Sequence, residues 1–440
     1  MAFRGVRRCT AVTATGTVKQ PQSSLQSPLR AVHSSSGSST SYSELSELIS
    51  TEEVHHTLPA RCYYEQDHFE LERKQIMEKS WLLAGHLNVL LPDKGSIAEV
   101  NVAGESIVLV RGEGREEVSA FFNVCPHRGH ELVQPKTRST MRSKALMCPN
   151  HGWSFNAGSG KLVKARFSED VANFCGNDFS LKKIPVHVMV GLVFVNLDAD
   201  NQQLQCPSTL FGLDLPETLL QKIPGIDSPD MTQLAVTEKV INANWKILVD
   251  NFLECYHCDI AHKAFVDMVN LDEYSTAIRP HHVLFESSCN PENDAYCFSP
   301  DDPLQSAFFC WLWPYNVVYS APGSNNLSIL QFIPLTPTTT LRRSERFAII
   351  PREERVDETK VTSKETTEAQ SAAQARVDYL NQVLLQEDTS ICESVQRGVQ
   401  SKAYSRGRLM VSRGGVVGQK WHTELAVAYF HQLLKQFTLR

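Results

Sequence analysis

The chain has 440 residues, 42 % hydrophobic and 21 % charged, with a formal net charge of −6. That length suits two or three domains, the composition is ordinary for a globular protein, and the acidic balance argues against nucleic acid as a partner. There is no run of 18 apolar residues and no polybasic stretch, so neither a membrane span nor membrane-surface binding is expected.

The first 43 residues contain no Asp or Glu; they carry Arg4, Arg7, Arg8, Lys19 and Arg30 and a Ser-rich stretch from Ser34 to Ser39. This is the composition of an organellar transit peptide, the Ser content favouring chloroplast over mitochondrion, with a plain disordered tail as the alternative. Residues 44–80 read as a polar helical leader that packs on the body. From Trp81 the character changes. Ser106–Val110 and Val118–Val124 are rich in β-branched and aromatic residues, with Gly112 and Gly114 between them. Val186–Leu197 reads as a closing apolar strand, so 81–200 is expected to be a small antiparallel β domain. Residues 201–232 read as a polar, Pro-containing linker. A second domain, 233–440, combines strand-like segments (Phe308–Tyr319, Leu327–Ile333) with a helix from about Thr366 to Val399. The apolar stripe of that helix is Val377, Leu380, Leu384, Ile391 and Val395. The fold class that follows is α+β, an all-β unit ahead of a mixed one.

Two ligand-like patterns, 103 residues apart, carry the chemistry. The first is Cys125-Pro-His127 with Cys148-Pro-Asn-His151; these two cysteines stand apart by their spacing to His, whereas Cys62, Cys175, Cys206, Cys289, Cys297, Cys310 and Cys392 read as small buried hydrophobes. Zinc is the main competitor for a Cys2His2 set, but zinc fingers pair Cys with Cys and His with His. Here each short motif offers one thiolate and one imidazole, which suits a [2Fe–2S] cluster with imidazoles on one iron. The second pattern is Glu254-Cys-Tyr-His257 followed by His262. Two His and a carboxylate suit a mononuclear Fe(II) that keeps positions open for O2. On an ideal helix His257 and His262 lie about 140° apart, so their convergence requires a helix end or a distortion. A third, distant carboxylate is needed. Glu387 and Asp388 both qualify, since they sit about 55° and 45° from the apolar stripe on opposite sides.

With those motifs in view, the chain after about residue 58 resembles the Rieske non-haem iron oxygenases. Residues His130 and Asn150 stand where respiratory Rieske proteins have two further Cys, which points to the oxygenase and ferredoxin-type branches. The segment Asn244–His262 resembles the family's catalytic segment, and Gln386–Gly398 its C-terminal one. The resemblance implies that Cys125, His127, Cys148 and His151 bind the Rieske cluster and that His257, His262 and Asp388 bind Fe(II). It also implies that Glu254 links this iron to the neighbouring subunit's cluster in a head-to-tail homotrimer, and that the catalytic domain has a helix-grip-like α+β fold. Cys392–Gly398, Ala403-Tyr404 and Gly407-Arg408 look like the choline monooxygenase group, which implies a ferredoxin-fed, plastid-directed enzyme converting choline to betaine aldehyde hydrate. Glu254–Cys258 looks more like bacterial quaternary-amine relatives, so N-demethylation of another quaternary amine, or hydroxylation of an aromatic compound, is the alternative. An electron carrier holding the Rieske centre alone is a further alternative. Arg128, Lys136, Arg138, Arg142 and Lys144 give the cluster region a basic surface for an acidic electron donor, or simply a solvated loop. Phe309, Trp311, Trp313 and Tyr315 alternate along a strand and would offer one aromatic face to a trimethylammonium group, sheet core being the commoner role for any one ring.

Overall fold

The computed structural model describes residues 49–438 except 51–52, 115, 135–140, 202, 294–295, 297, 351–367 and 413–420, and leaves the side chains of 141–142 and 368–381 undescribed. The transit-like segment, residues 44–48 of the leader, Lys136, Arg138, Cys297 and the side chains of Arg142, Val377 and Leu380 therefore lie outside the described residues.

The leader is not one helix. An extended stretch reaches a single turn at Ala60–Tyr63, then α1 (Gln66–Glu72) and a wider turn, Arg73–Met77. It docks on the second domain. The Thr57 amide donates to Gly407 (3.1 Å) and the Ala60 amide to Ser405 (2.8 Å). From α1 the carboxylate of Glu72, 1 % exposed, meets the Lys246 ammonium at 2.7 Å and accepts from the Trp245 indole at 2.9 Å. Two fully buried groups of opposite charge tolerate desolvation only as such a pair.

Three small antiparallel sheets follow. One holds β2 (Ser96–Val102), β3 (Glu105–Arg111), β4 (Val118–Phe122), β5 (Met141–Arg142) and β9 (Lys183–Ile184). A second holds β6 (Ala145–Met147), β7 (Ser154–Asn156) and β8 (Leu162–Lys164). The third holds β1 (Trp81–His86), β10 (Val186–Met189) and β11 (Leu192–Asn196). The expected single strand Val186–Leu197 is thus a hairpin. Val190 and Gly191 both adopt positive φ (44° and 84°), the geometry of a two-residue turn matched to strand twist. An unbroken apolar run hides such a turn because β11 is buried on both faces.

The stretch 201–232 is more than a polar linker. Phe211, Leu215, Leu219, Ile223 and Ile226 are all buried in the main core, and 215–222 form α2 (Leu215–Lys222). Their spacing of three or four residues is helical; average polarity concealed it.

The second domain is built on a seven-stranded antiparallel sheet ordered β12-β18-β17-β16-β15-β14-β13. The strands are β12 (Met231–Ile241), β13 (Ser275–Arg279), β14 (His282–Ser288), β15 (Ser306–Leu312), β16 (Asn316–Ser320), β17 (Asn326–Thr336) and β18 (Thr339–Ile349). Phe308–Tyr319 is two strands because Pro314, with no amide hydrogen to give to a central ladder, occupies the turn between them. Helix α3 (Trp245–Phe252) packs against β17; the Asn244 side chain caps it by accepting from the Lys246 amide at 3.0 Å. Short α4 (Cys258–Ala261) and α5 (Lys263–Met268) follow, and later α6 (Glu368–Val399), which packs on α3, and α7 (Leu425–Thr438), buried from Leu425 to His431.

Candidate metal centres

The first Cys/His pair lies in the loop after β4, the second in the turn between β6 and β7. The loops share one backbone design. The Cys125 amide donates to His130 (2.8 Å) and Gly129 donates back to Cys125 (2.9 Å); the Cys148 amide donates to Trp153 (2.8 Å) and Gly152 donates back to Cys148 (3.0 Å). Gly129 and Gly152 both sit at φ +73°, a region that penalises any Cβ. Asn123 clasps the first loop: its Oδ1 accepts from the Leu132 and Val133 amides and its Nδ2 donates to Val133. Cys125 and Cys148 are buried (1 % and 2 % exposed). The His127 imidazole is exposed and that of His151 half-buried, their ring centroids lie 4.7 Å apart, and His127 stacks on Trp153. Burial raises the Cys125 pKa, a backbone hydrogen bond from His127 offsets part of the rise, and the neighbouring Cys148 thiol adds to it. His151 Nδ1 is buried without a hydrogen-bond partner among the described residues. An orphaned imidazole nitrogen beside two adjacent thiols is the donor set that a His-ligated [2Fe–2S] cluster needs.

In the second domain His257 precedes α4 and His262 follows it, so the two sit at the ends of a one-turn helix, as their convergence demands. Their Nε2 atoms are 3.1 Å apart. Asp388, from α6, brings Oδ1 to 3.0 Å from His262 Nε2 and 4.0 Å from His257 Nε2. One ligand atom from each of the three lies within 4.8 Å of the others. The outer ring nitrogens point away from this focus, each to its own carboxylate: His257 Nδ1 to Glu254, and His262 Nδ1 to Glu387 at 2.8 Å. Such carboxylates fix the tautomer and aim Nε2 at a metal. Asp388 faces the focus, whereas Glu387 meets the outer ring nitrogen of His262. Asn251 holds Asp388 through a 2.8 Å hydrogen bond. Burial would lower the pKa of His262, but hydrogen bonds and charges from Asp388 and Glu387 raise it; a field that favours imidazolium also favours a bound cation.

Beside this focus is a cavity lined by Phe252, Tyr274, Phe285, Phe309, Phe332 and Arg342 among others. Of the four aromatics singled out in sequence only Phe309 reaches it. Trp311 and Trp313 pack on Phe430, and Tyr315 on Trp245, within the core. Phe252 is the hub of the wall, its ring centroid 6.1 Å from Phe285 and 6.2 Å from Phe309 and Phe332. The sequence reading also missed a Cys255–Cys258 disulfide that brackets His257.

Comparison with known proteins places this chain in a family. The Rieske [2Fe-2S] domain matches residues 80–175, and the catalytic domain of the ring hydroxylating alpha subunit matches 227–438. The chain is 31 % identical over 382 residues to the carnitine monooxygenase oxygenase subunit of Escherichia coli, covering 86 % of this chain and 93 % of that one. It is 26 % identical to the chloroplastic choline monooxygenase of Spinacia oleracea, over 87 % of this chain and 78 % of that one. The crystal structure of the quaternary ammonium Rieske monooxygenase CntA with L-carnitine superposes with a TM-score of 0.70 at 29 % identity, covering 88 % and 96 % of the two chains. The motifs, the shared fold and the similarity over 86 % of the chain have one reading: the chain belongs to the Rieske non-haem iron oxygenases, oxidoreductases with a [2Fe–2S] Rieske domain and a catalytic domain that binds mononuclear iron.

Proposed function

We propose that the enzyme is a monooxygenase of a small quaternary amine. In this reading Cys125, His127, Cys148 and His151 hold the cluster, His257, His262 and Asp388 hold the iron, and Glu254 and Glu387 orient the two imidazoles. The cluster, when bound, supplies electrons, and the iron supplies the site where O2 is activated. The observation that carries the substrate class is the aromatic wall beside the His257–His262–Asp388 focus. A trimethylammonium group donates no conventional hydrogen bond and is attracted to ring faces. The wall holds it, excludes water and leaves its carbon chain turned to the iron.

Choline is the substrate that the sequence resemblance selects. One oxygen atom would enter a C–H bond of its alcohol carbon, giving betaine aldehyde hydrate; the other would leave as water, with two electrons and two protons consumed. A reduced ferredoxin, or a reductase of similar role, supplies the electrons, and the basic residues beside the cluster steer it. Tyr256 and Ile260 are exposed beside Glu254, and Met147, Val163 and Phe167 are exposed near the cluster loops. Apolar rims at both centres suit a head-to-tail trimer in which one protomer's cluster faces the next protomer's iron. A structure of CntA is reported to give insight into inter-subunit electron transfer in that protein. The acid-free N-terminus supports a plastid location.

The test is O2 uptake by the iron-loaded enzyme with reduced ferredoxin across choline, carnitine, glycine betaine and naphthalene, with product assayed. Uptake matched by product for at least one quaternary amine is expected; uptake coupled only to naphthalene, or to nothing, sinks the reading.

A further inference from the structure

We propose that Arg342 is a carboxylate anchor in the substrate pocket, and that the preferred substrate is a betaine, a quaternary amine that also carries a carboxylate. This rests on the quaternary-amine reading above and departs from choline, which the sequence resemblance selects, in favour of an amine that carries a carboxylate. Arg342 lies on β18 directly across from Phe332 of β17, at the edge of the aromatic wall and in the same cavity as His257, His262 and Asp388. The next residue, Arg343, points to the other face and is engaged by Glu238 and Glu345. No hydrogen bond or ion pair from the described residues reaches Arg342. Asp388 is near enough to act on it through charge, but the Asp388 carboxylate already serves Asn251 and His262. Burial lowers the Arg342 pKa, with Tyr319 and Asp388 offsetting part of that effect.

A half-buried guanidinium that lines a cavity and lacks a partner among the described residues is best satisfied by an anion there. Its planar fork matches a carboxylate through two parallel hydrogen bonds. The pocket therefore has two poles. At one, Phe252, Phe285 and Phe309 present rings to a trimethylammonium group; at the other, Arg342 presents donors to a carboxylate. A betaine satisfies both. Choline satisfies the first and places a hydroxyl, on a cation, where the guanidinium is. Were Arg342 there only to balance the charge of Asp388, its replacement would alter iron retention and leave ligand selectivity alone.

The experiment is titration calorimetry on the full chain with both metal centres loaded, without O2 or reductant, using glycine betaine, L-carnitine, choline and tetramethylammonium. A carboxylate-bearing amine should bind about 10- to 100-fold more tightly than choline. Arg342→Gln should erase that preference, and Arg342→Lys should keep part of it, with tetramethylammonium binding unchanged by either. Iron content and melting temperature establish that each variant is folded and loaded, and Arg342→Lys carries the test if Arg342→Gln is not. The proposal is overturned if choline binds the parent as tightly as the betaines, or if the preference survives removal of the guanidinium. Failure of all four ligands, tetramethylammonium included, instead brings down the quaternary-amine reading and this inference with it.

Discussion

At the cluster loops the chain positions its side chains with backbone: matched amide–carbonyl pairs, two left-handed glycines and the three-bond clasp of Asn123. At the mononuclear site it uses side chains instead, with Glu254, Glu387 and Asn251 each gripping one member of the His257–His262–Asp388 set. The first arrangement is fixed by the hairpins and resists change of geometry, as an electron store requires. The second depends on separate elements, α4 and α6, and admits small movement around a reacting centre. Replacements should therefore fall into two classes, loop-breaking changes at the first site and ligand-loosening ones at the second.

The largest effect is expected at Asp388. Asp388→Ala should lower iron content from about three to about two atoms per chain while the cluster's visible spectrum persists, and should cut turnover more than about 100-fold. Loss of the cluster spectrum as well would mean that the two centres are not held independently. Next is Glu72, which anchors the root of α3. Glu72→Ala strands the Lys246 charge and should destabilise by about 3–5 kcal/mol in urea unfolding. The same cluster sets a pH dependence. Burial opposes protonation of His68, but hydrogen bonds that its ring donates to Cys62 and Glu72, with the Glu72 charge, outweigh it and raise the pKa from 6.5 to about 9. A folded value above the unfolded one means that this stabilisation is complete below pH 6.5 and is lost as the pH rises through about 9. Allowing for solvent screening at the part-exposed ring, His68→Gln should remove a pH-dependent component of about 1 kcal/mol between pH 6 and pH 9.5.

A smaller change is expected at Glu387. Glu387→Gln leaves a hydrogen-bond acceptor for His262 but removes the charge, and should weaken iron binding by about 10- to 100-fold in a chelator competition. If Gln is neutral and Asp388→Ala retains iron, the roles of the two acids are exchanged. The smallest is Gly129→Ala. A Cβ there meets nothing within 4 Å, so the cost is left-handed strain alone, about 1–2 kcal/mol, read as a lower cluster-loss temperature with mononuclear iron unaffected.

The parts legible in sequence are those encoded locally. The Cys-x-His and Cys-x-x-His pairs, the Glu254–His262 segment and the helix 368–399 announced themselves by spacing. The distinction between Glu387 and Asp388 did not, because two adjacent acids flank the same helical stripe and only the placement of His262 separates them. Nor did the aromatic wall. Phe252, Phe285, Phe309 and Phe332 come from α3, β14, β15 and β17, and alternation within one strand carries no information about its neighbours. Arg342 was equally silent, since its partner in space, Phe332, is set by strand register.

The leader's docking has a consequence for the order in which the molecule is made. The ring of His56 reaches the Gly407 carbonyl across 351 residues, and the Tyr63 phenol meets Asp250 and His431. Of these partners, Gly407 and His431 follow His56 and Tyr63 by 351 and 368 residues. The leader therefore lacks these contacts until that later part of the chain has been made. Trimming that spares His56 costs none of these contacts, whereas trimming just beyond it removes the hydrogen bond to Gly407.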